Sequence, residues 1–318
     1  MQLITDSAAL VDACSALAKF EYVTVDTEFL REQTFWPQLC LIQMAGPDLE
    51  FLIDPLAPSI DLQPFFELMA NPSIVKVFHA GRQDIEIVFS KAGLIPEPIF
   101  DTQVAAMVCG FGESVGYVNL VKKVLSIDVD KGARFTDWSR RPLSRKQLEY
   151  ALGDVTHLRD VYHFLVNELE KSGRSHWLTE EMAALCAPET YVTKPEDAWK
   201  RLKMRVKSKR ALAVMMELAA WREEEAQSQN VPRNRVLRDE ALYDIANQSP
   251  TSVDKLADLR SLSQGFAKSQ RAREIIDAVK RGRDRDLSSV PSLKNGRQLS
   301  AEATWRASRL RMRQIFLL

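Results

Sequence analysis

Short runs of β-branched and aromatic residues alternate with helical periodicity in the first half of the chain. Four such runs are bounded by Gly, Pro or Asp and predict strands, at residues 22–30, 39–45, 50–54 and 73–80. The first three follow one another closely, as in an antiparallel meander. The fourth lies between helical patterns near 60–70 and 84–93, which favours parallel additions. The pattern therefore predicts a mixed α/β sheet.

Helical periodicity dominates from about residue 119 onward, interrupted by a polar stretch at 128–144. Two helices are predicted after this stretch, at roughly 144–152 and 154–171. A segment with two prolines, 187–196, predicts a boundary between domains. The first half is thus expected to form one α/β domain.

The second half shows helical patterns and no strand signal. Apolar residues at 211, 214, 215, 218 and 221 lie on one helix face. Further helices are predicted near 239–247, 252–260 and 267–281, the last closed by Gly282. These short helices predict a compact all-α bundle.

Charge separates the two halves although the chain as a whole is neutral. The 318 residues include 43 Lys+Arg and 43 Asp+Glu. Residues 1–194 contain 17 basic and 27 acidic residues, and residues 195–318 contain 26 and 16. Such asymmetry predicts two domains with different roles, one of which faces an anion.

The four cysteines are far apart, which excludes a CxxC-type zinc site and favours reduced, buried thiols. No signal peptide and no apolar run of membrane-spanning length is found in the sequence. A cytoplasmic protein without a membrane partner is expected. No obligate protein partner is indicated, and a monomer is the default.

Acidic residues form three groups that can carry chemistry. Asp26 and Glu28 lie two apart on a predicted strand and therefore share one face. Their repulsion and desolvation require compensation, and a divalent cation provides it. A solvated edge strand is the common alternative for a lone pair of this kind.

The other two groups are weaker when taken singly. Asp84 follows an apolar strand through a turn and begins a helix, where active-site residues of α/β sheets gather. An aspartate that complements the helix dipole is the ordinary alternative. Tyr150 and Asp154 are four apart and lie on one side of a helix. Taken alone, this pair is better explained by a tyrosine packed at the edge of the core and an aspartate in water.

The order of these groups resembles the DEDD exonuclease superfamily, tyrosine subtype. The segments VDTEF, FHAGRQDIE, DTQVAAMV, DWSRRPLS and YALGDV are similar to the ribonuclease D family, almost continuously from residue 1 to about 185. The resemblance implies a ribonuclease H-like fold and two metal ions, Mg²⁺ or Mn²⁺. Their ligands would be Asp26, Glu28, Asp84 and Asp154, with Asp26 bridging, and Tyr150 would orient the attacking water.

Several other residues are candidates with open alternatives. His79 is a candidate for contact with the substrate end or a core histidine, and Asp101 is expected to cap a helix. Arg140 and Arg141 are candidates for clamping phosphate or for exposed salt bridges. Trp138 is expected in the core or as a stacking platform.

The second half resembles an HRDC domain, a small nucleic-acid-binding module, most clearly in NVPRNRVLRDEALYDIA. Seven of eleven residues are basic at 200–210, which favours phosphate contact. Arg233 and Arg235 are candidate phosphate contacts, with plain solvent exposure as the alternative.

The expected domain organisation has four parts. These are an exonuclease domain at 1–186, a linker with a basic helix at 187–206, an HRDC domain at 207–286 and a tail at 287–318. The tail begins like a second HRDC-like domain that is cut short.

The leading hypothesis is a 3′→5′ exoribonuclease that trims structured RNA, tRNA precursors above all, and releases 5′-mononucleotides. A DNA exonuclease is an alternative, because the same carboxylates hydrolyse either backbone. A non-catalytic RNA-binding protein would lack a carboxylate, and none is missing.

Overall fold

The computed structural model describes residues 3–130, 132–192, 194–203, 205–263 and 265–292. These residues divide into two compact units, one formed by 3–31 with 37–191 and the other by 32–36 with 192–292. The predicted tail lies outside the described residues from residue 293 onward.

A six-stranded mixed sheet forms the centre of the first unit, in the order β1-β4-β3-β2-β5-β6. The strands are β1 Leu3–Ile4, β2 Tyr22–Leu30, β3 Gln38–Ala45, β4 Glu50–Ile53, β5 Val75–Phe78 and β6 Ile99–Asp101. Strands β2, β3 and β4 pair antiparallel, whereas β5 and β6 add in parallel. The predicted mixed sheet is confirmed. Strands β1 and β6 were not predicted, since two or three residues are too short to show alternation.

Seven helices pack around this sheet in the described part of the first unit. They are α1 Ser7–Leu17, α2 Gln63–Ala70, α3 Arg82–Ala92, α4 Thr102–Val108, α5 Tyr117–Leu125, α6 Arg145–Ser172 and α7 Ser175–Cys186. Buried residues from the sheet and from the helices form one continuous apolar core.

The long helix α6 corrects the prediction of two helices. Ser144 and Gln147 form a capping box at its N-terminus, and it continues without interruption through Gly153. Thr24 of β2 donates a hydrogen bond to the carbonyl of Val155, at 2.9 Å. Packing on the sheet therefore outweighs the helix-weakening tendency of one glycine.

The second unit is all-α, as predicted, with its own apolar core. Its α-helices among the described residues are α8 Lys209–Ser228, α9 Arg233–Val236, α10 Asp239–Gln248, α11 Val253–Ala257 and α12 Gln270–Asp284. Five arginines of this unit pair with carboxylates at 2.5–3.0 Å, namely Arg222, Arg233, Arg271, Arg281 and Arg285.

Gly282 does not close the last helix, contrary to prediction, but lies inside α12. A Cβ atom at this position would be 2.4 Å from the Cα of Val214 in α8. The glycine is needed because two helix backbones approach closely there.

The segment predicted to include a basic helix is not α-helical. Its described residues form 3₁₀ turns at Pro188–Thr190 and Pro195–Arg201, and regular helix is absent from the described residues 202, 203 and 205–208. The residue before a proline is disfavoured in the α region, and Ala187 and Lys194, which precede the two prolines, are extended.

All four cysteines are free thiols, as predicted. Cys14 and Cys40 are buried, whereas Cys109 and Cys186 are only partly buried, unlike the prediction. In the part of the chain that the structure describes, none of the helices has both the length and the apolar character that crossing a bilayer requires.

Candidate active site

The four predicted carboxylates and Tyr150 line one cavity of about 480 Å³ in the first unit. Strand β2 provides Asp26 and Glu28, the first turn of α3 provides Asp84, and α6 provides Tyr150 and Asp154. Asp84 and Asp154, which lie 58 and 128 positions after Asp26 in the sequence, thus meet Asp26 in the folded chain.

The carboxylates are close enough to share a cation. Ligand oxygens of Asp26, Glu28 and Asp154 all lie within 4.8 Å of one another. Asp84 is buried in the same cavity and accepts a hydrogen bond from the Thr27 hydroxyl at 2.5 Å. A cluster of oxygen ligands at this spacing suits hard divalent cations.

Burial makes the charged forms of these groups costly. It raises the pKa of Asp84 and of Asp154 to about 7 and that of Glu28 to about 9, and the neighbouring carboxylates raise Glu28 further. The pKa of Asp26 is raised well above its ordinary value by burial and then by the charges of Asp84 and Asp154. Four such groups fit a site that is completed by positive charge.

Tyr150 is oriented toward this cluster. Burial raises its pKa, as do the charges of Asp154 and Glu28, so the hydroxyl stays protonated at neutral pH. Burial raises the pKa of Asp154 as well, and a hydrogen bond from the Tyr150 hydroxyl opposes that rise. Tyr150 is therefore a hydrogen-bonding group and not a base at this pH.

His79 and Asp101 support the turn that leads into α3. Asp101 caps α4, as predicted, by accepting from the amides of Gln103 and Val104, and it also accepts from those of Ala80 and Gly81. His79 lines the cavity, and its Nδ1 lies 2.9 Å from the Thr102 hydroxyl. Its Nε2 is buried without a partner among the described residues.

Arg141, a candidate for clamping phosphate or for a salt bridge, forms a salt bridge within the protein. It binds Asp54 through Nε and Nη2, at 2.7 and 2.6 Å, and its remaining donors bond to backbone carbonyls, including that of Cys40. No N–H of its guanidinium is left for phosphate. Arg140 is exposed and does not line the cavity. Trp138 is a core residue with 2% exposure.

Arg233, a candidate for phosphate contact or for plain solvent exposure, is paired within its own unit. It forms two bonds of 2.5 and 2.6 Å to Glu223, a carboxylate that is 1% exposed, and its guanidinium lies 4.5 Å from the ring centre of Phe35. Removing Arg233 would leave a buried charge unpaired. Arg235 is exposed and remains a candidate phosphate contact.

The cavity residues that the sequence reasoning missed include Tyr117, Arg134 and Phe135. The Tyr117 hydroxyl donates to the Gly153 carbonyl at 2.8 Å, which links α5 to α6 beside Asp154. Arg134 and Phe135 belong to the polar stretch before α6, where periodicity carries no signal. A basic residue next to an aromatic one was the only clue.

Comparison with known proteins places this geometry in a family context. Residues 1–170 match the family described as 3′–5′ exonuclease, and residues 211–279 match the HRDC domain. Ribonuclease D of Nitrobacter hamburgensis is 57% identical over 297 residues, which cover 93% of this chain and 78% of the relative. Ribonuclease D of Bartonella henselae is 50% identical over 293 residues, 92% of this chain and 72% of the relative.

A solved structure agrees with these sequence matches. The crystal structure of Escherichia coli RNase D, described as an exoribonuclease involved in structured RNA processing, has a TM-score of 0.81 and 32% identity. The match covers 92% of this chain and 77% of that one.

Proposed function

The chain belongs to the ribonuclease D family and is a metal-dependent 3′→5′ exoribonuclease, and from this premise we propose that it trims the 3′ ends of structured RNAs, tRNA precursors above all. The observation that carries the proposal is the convergence of Asp26, Glu28, Asp84, Asp154 and Tyr150 on one cavity.

We propose that the four carboxylates hold two divalent cations, Mg²⁺ or Mn²⁺. The close spacing of their oxygens and their raised pKa values support this assignment. Bound cations would compensate both the repulsion between the carboxylates and the cost of burying their charges. When bound, two such ions neutralise charge on the attacking and leaving oxygens of a phosphodiester.

The proposed reaction is hydrolysis of the last phosphodiester bond of the RNA, with Tyr150 positioning the attacking water. Water adds to the terminal phosphate, the bond to the preceding O3′ breaks, and the proton of the water ends on that oxygen. The products are a 5′-mononucleotide and an RNA shorter by one nucleotide. Tyr150, which stays protonated, would hold the water by a hydrogen bond and fix its direction of attack.

The domain assignment remains a proposal with the boundaries given above: catalysis in 1–186, a linker in 187–206 and nucleic-acid binding in 207–286. The match of 211–279 to the HRDC domain supports RNA contact by the second unit. Arg235 is the candidate phosphate contact there that has no ion pair among the described residues. A cytoplasmic location follows from the proposed substrate.

The decisive experiment incubates the protein with a tRNA carrying a 3′ extension, with Mg²⁺ or with EDTA, and separates the products by size. Stepwise shortening with release of 5′-mononucleotides, abolished by EDTA, is expected. Internal fragments or chelator-resistant activity would overturn the proposal. Comparing the rates of degradation of matched RNA and DNA oligonucleotides decides between the two backbones. Retained RNase activity in an Asp84→Asn variant would reject the proposed metal sites.

A further inference from the structure

Phe135 is an exposed aromatic residue at the wall of the active-site cavity. Its exposure is 91%, the highest among the large hydrophobic side chains of the described residues. The guanidinium of Arg134 lies 5.2 Å from the centre of its ring, and both residues line the cavity. At the wall of a polar cavity, an exposed ring offers a face on which another aromatic ring can stack.

The turn that carries the two residues is fixed on both sides. Ala133 is buried, and its carbonyl accepts from the amide and the hydroxyl of Thr136, at 3.1 and 2.7 Å. The side-chain amide of Gln147 in α6 donates to the same hydroxyl at 3.1 Å. The anchors hold the intervening pair, Arg134 and Phe135, toward the cavity.

Arg134 faces the catalytic carboxylates without forming an ion pair with them. None of the described carboxylates lies within salt-bridge distance of it. Burial raises the pKa of Glu28 and of Asp154, and the charge of Arg134 acts in the opposite direction on both. A free guanidinium at this place suits a phosphate oxygen.

We infer that Phe135 is the stacking surface for the base of the 3′-terminal nucleotide, and that Arg134 beside it contacts a phosphate of the same RNA end. The inference deepens the proposed function and rests on it. A π-face accepts every base, so such a site positions the end of the chain without reading its sequence.

The test measures steady-state kinetics on two RNA oligonucleotides that differ only in the terminal nucleotide, one with a purine base and one abasic. Phe135→Ala is expected to raise KM on the base-bearing RNA roughly 5- to 50-fold, as for loss of one stacked base. On the abasic RNA the same variant should change KM less than about twofold, because there is no base to stack. Phe135→Trp should restore the difference between the substrates.

Three comparisons keep the result unambiguous. Arg134→Gln is expected to raise KM about equally on both RNAs, since a phosphate contact ignores the base. Trp177→Ala, a change of another exposed aromatic residue that does not line the cavity, should alter neither value. Melting temperatures of all variants should equal that of the native protein.

Equal KM changes on both RNAs for Phe135→Ala, or no change on either, would overturn the stacking role. An unchanged KM for Arg134→Gln would overturn the phosphate contact. Failure of the exonuclease proposal itself looks different, because the native protein would then shorten neither RNA.

Discussion

Asp26 lies directly opposite Gln43 in the antiparallel pairing of β2 with β3. Residues paired in this way point to the same face of the sheet, so the Gln43 amide lies beside the catalytic strand. Gln43 has no exposed surface, and neither its oxygen nor its nitrogen has a hydrogen-bond partner among the described residues.

An unsatisfied buried amide costs about 1–3 kcal/mol. We expect Gln43→Met, which keeps the length of the side chain, to raise the free energy of unfolding by roughly 1 kcal/mol. Chemical denaturation with urea measures the change, and Gln38→Met at the exposed start of β3 is the matched control, with no gain expected. A less stable Gln43→Met protein would show that the amide is hydrogen-bonded in solution.

The carboxylate cluster predicts that the protein without metal, in the presence of a chelator, loses stability as pH rises. Asp84 and Asp154 have pKa values of about 7 and Glu28 about 9 in the folded chain, against roughly 4 when unfolded. Between these values the folded state holds protons that the unfolded state releases, so the free energy of unfolding falls from about pH 4 to about pH 9.

Thermal melts in EDTA and in Mg²⁺ at about pH 5.5, 7 and 8.5 measure this dependence. We expect the increase in Tm on adding Mg²⁺ to be largest at the highest pH, where the cluster is most charged. The double variant Asp84→Asn/Asp154→Asn should show a flatter dependence in EDTA. Equal slopes for the native and the double variant would contradict the explanation.

Tyr150→Phe removes the hydroxyl beside Asp154 and keeps the ring. We expect kcat to fall roughly 10- to 1,000-fold, because water loses its orienting hydrogen bond. Affinity for Mn²⁺, measured by calorimetry, should persist, because the four carboxylates remain. Turnover equal to that of the native enzyme would reject the orienting role of Tyr150.

Two glycines within helices should respond oppositely to alanine. Gly282→Ala places a methyl group 2.4 Å from the Val214 backbone and should cost about 1–3 kcal/mol. Gly153→Ala meets no atom closer than 3.9 Å, so it should stabilise α6 by about 0.5–1 kcal/mol. Calorimetric melts compare the two variants, and a shift of the same sign in both would show that backbone proximity is not the cause.

The sequence pattern predicted those features that depend on neighbouring residues alone, such as strand β2 and its acidic pair. The bounds of β2 follow from its flanking residues and residue types, and Asp26 and Glu28 then share a face by geometry alone. The length of α6 did not follow, because packing on the sheet stabilises the helix through Gly153. Turn residues such as Phe135 obey no period, so only the folded chain shows that they reach the cavity.

Arginine roles were predicted least well, for a related reason. Whether a guanidinium meets phosphate or carboxylate depends on long-range contacts. Arg141 meets Asp54, 87 residues away, and Arg233 meets the buried Glu223. A basic count along the sequence cannot separate these arginines from free ones.

The internal ion pairs of the helical unit have a consequence for a salt titration of RNA binding. The slope of log affinity against log salt counts the cations that exchange counterions for phosphate, at roughly 0.7 per contact on single strands. Arg222, Arg233, Arg271, Arg281 and Arg285 already neutralise carboxylates of their own unit. The number of phosphate contacts obtained from the slope should therefore be much smaller than 26, the number of basic residues that follow residue 194.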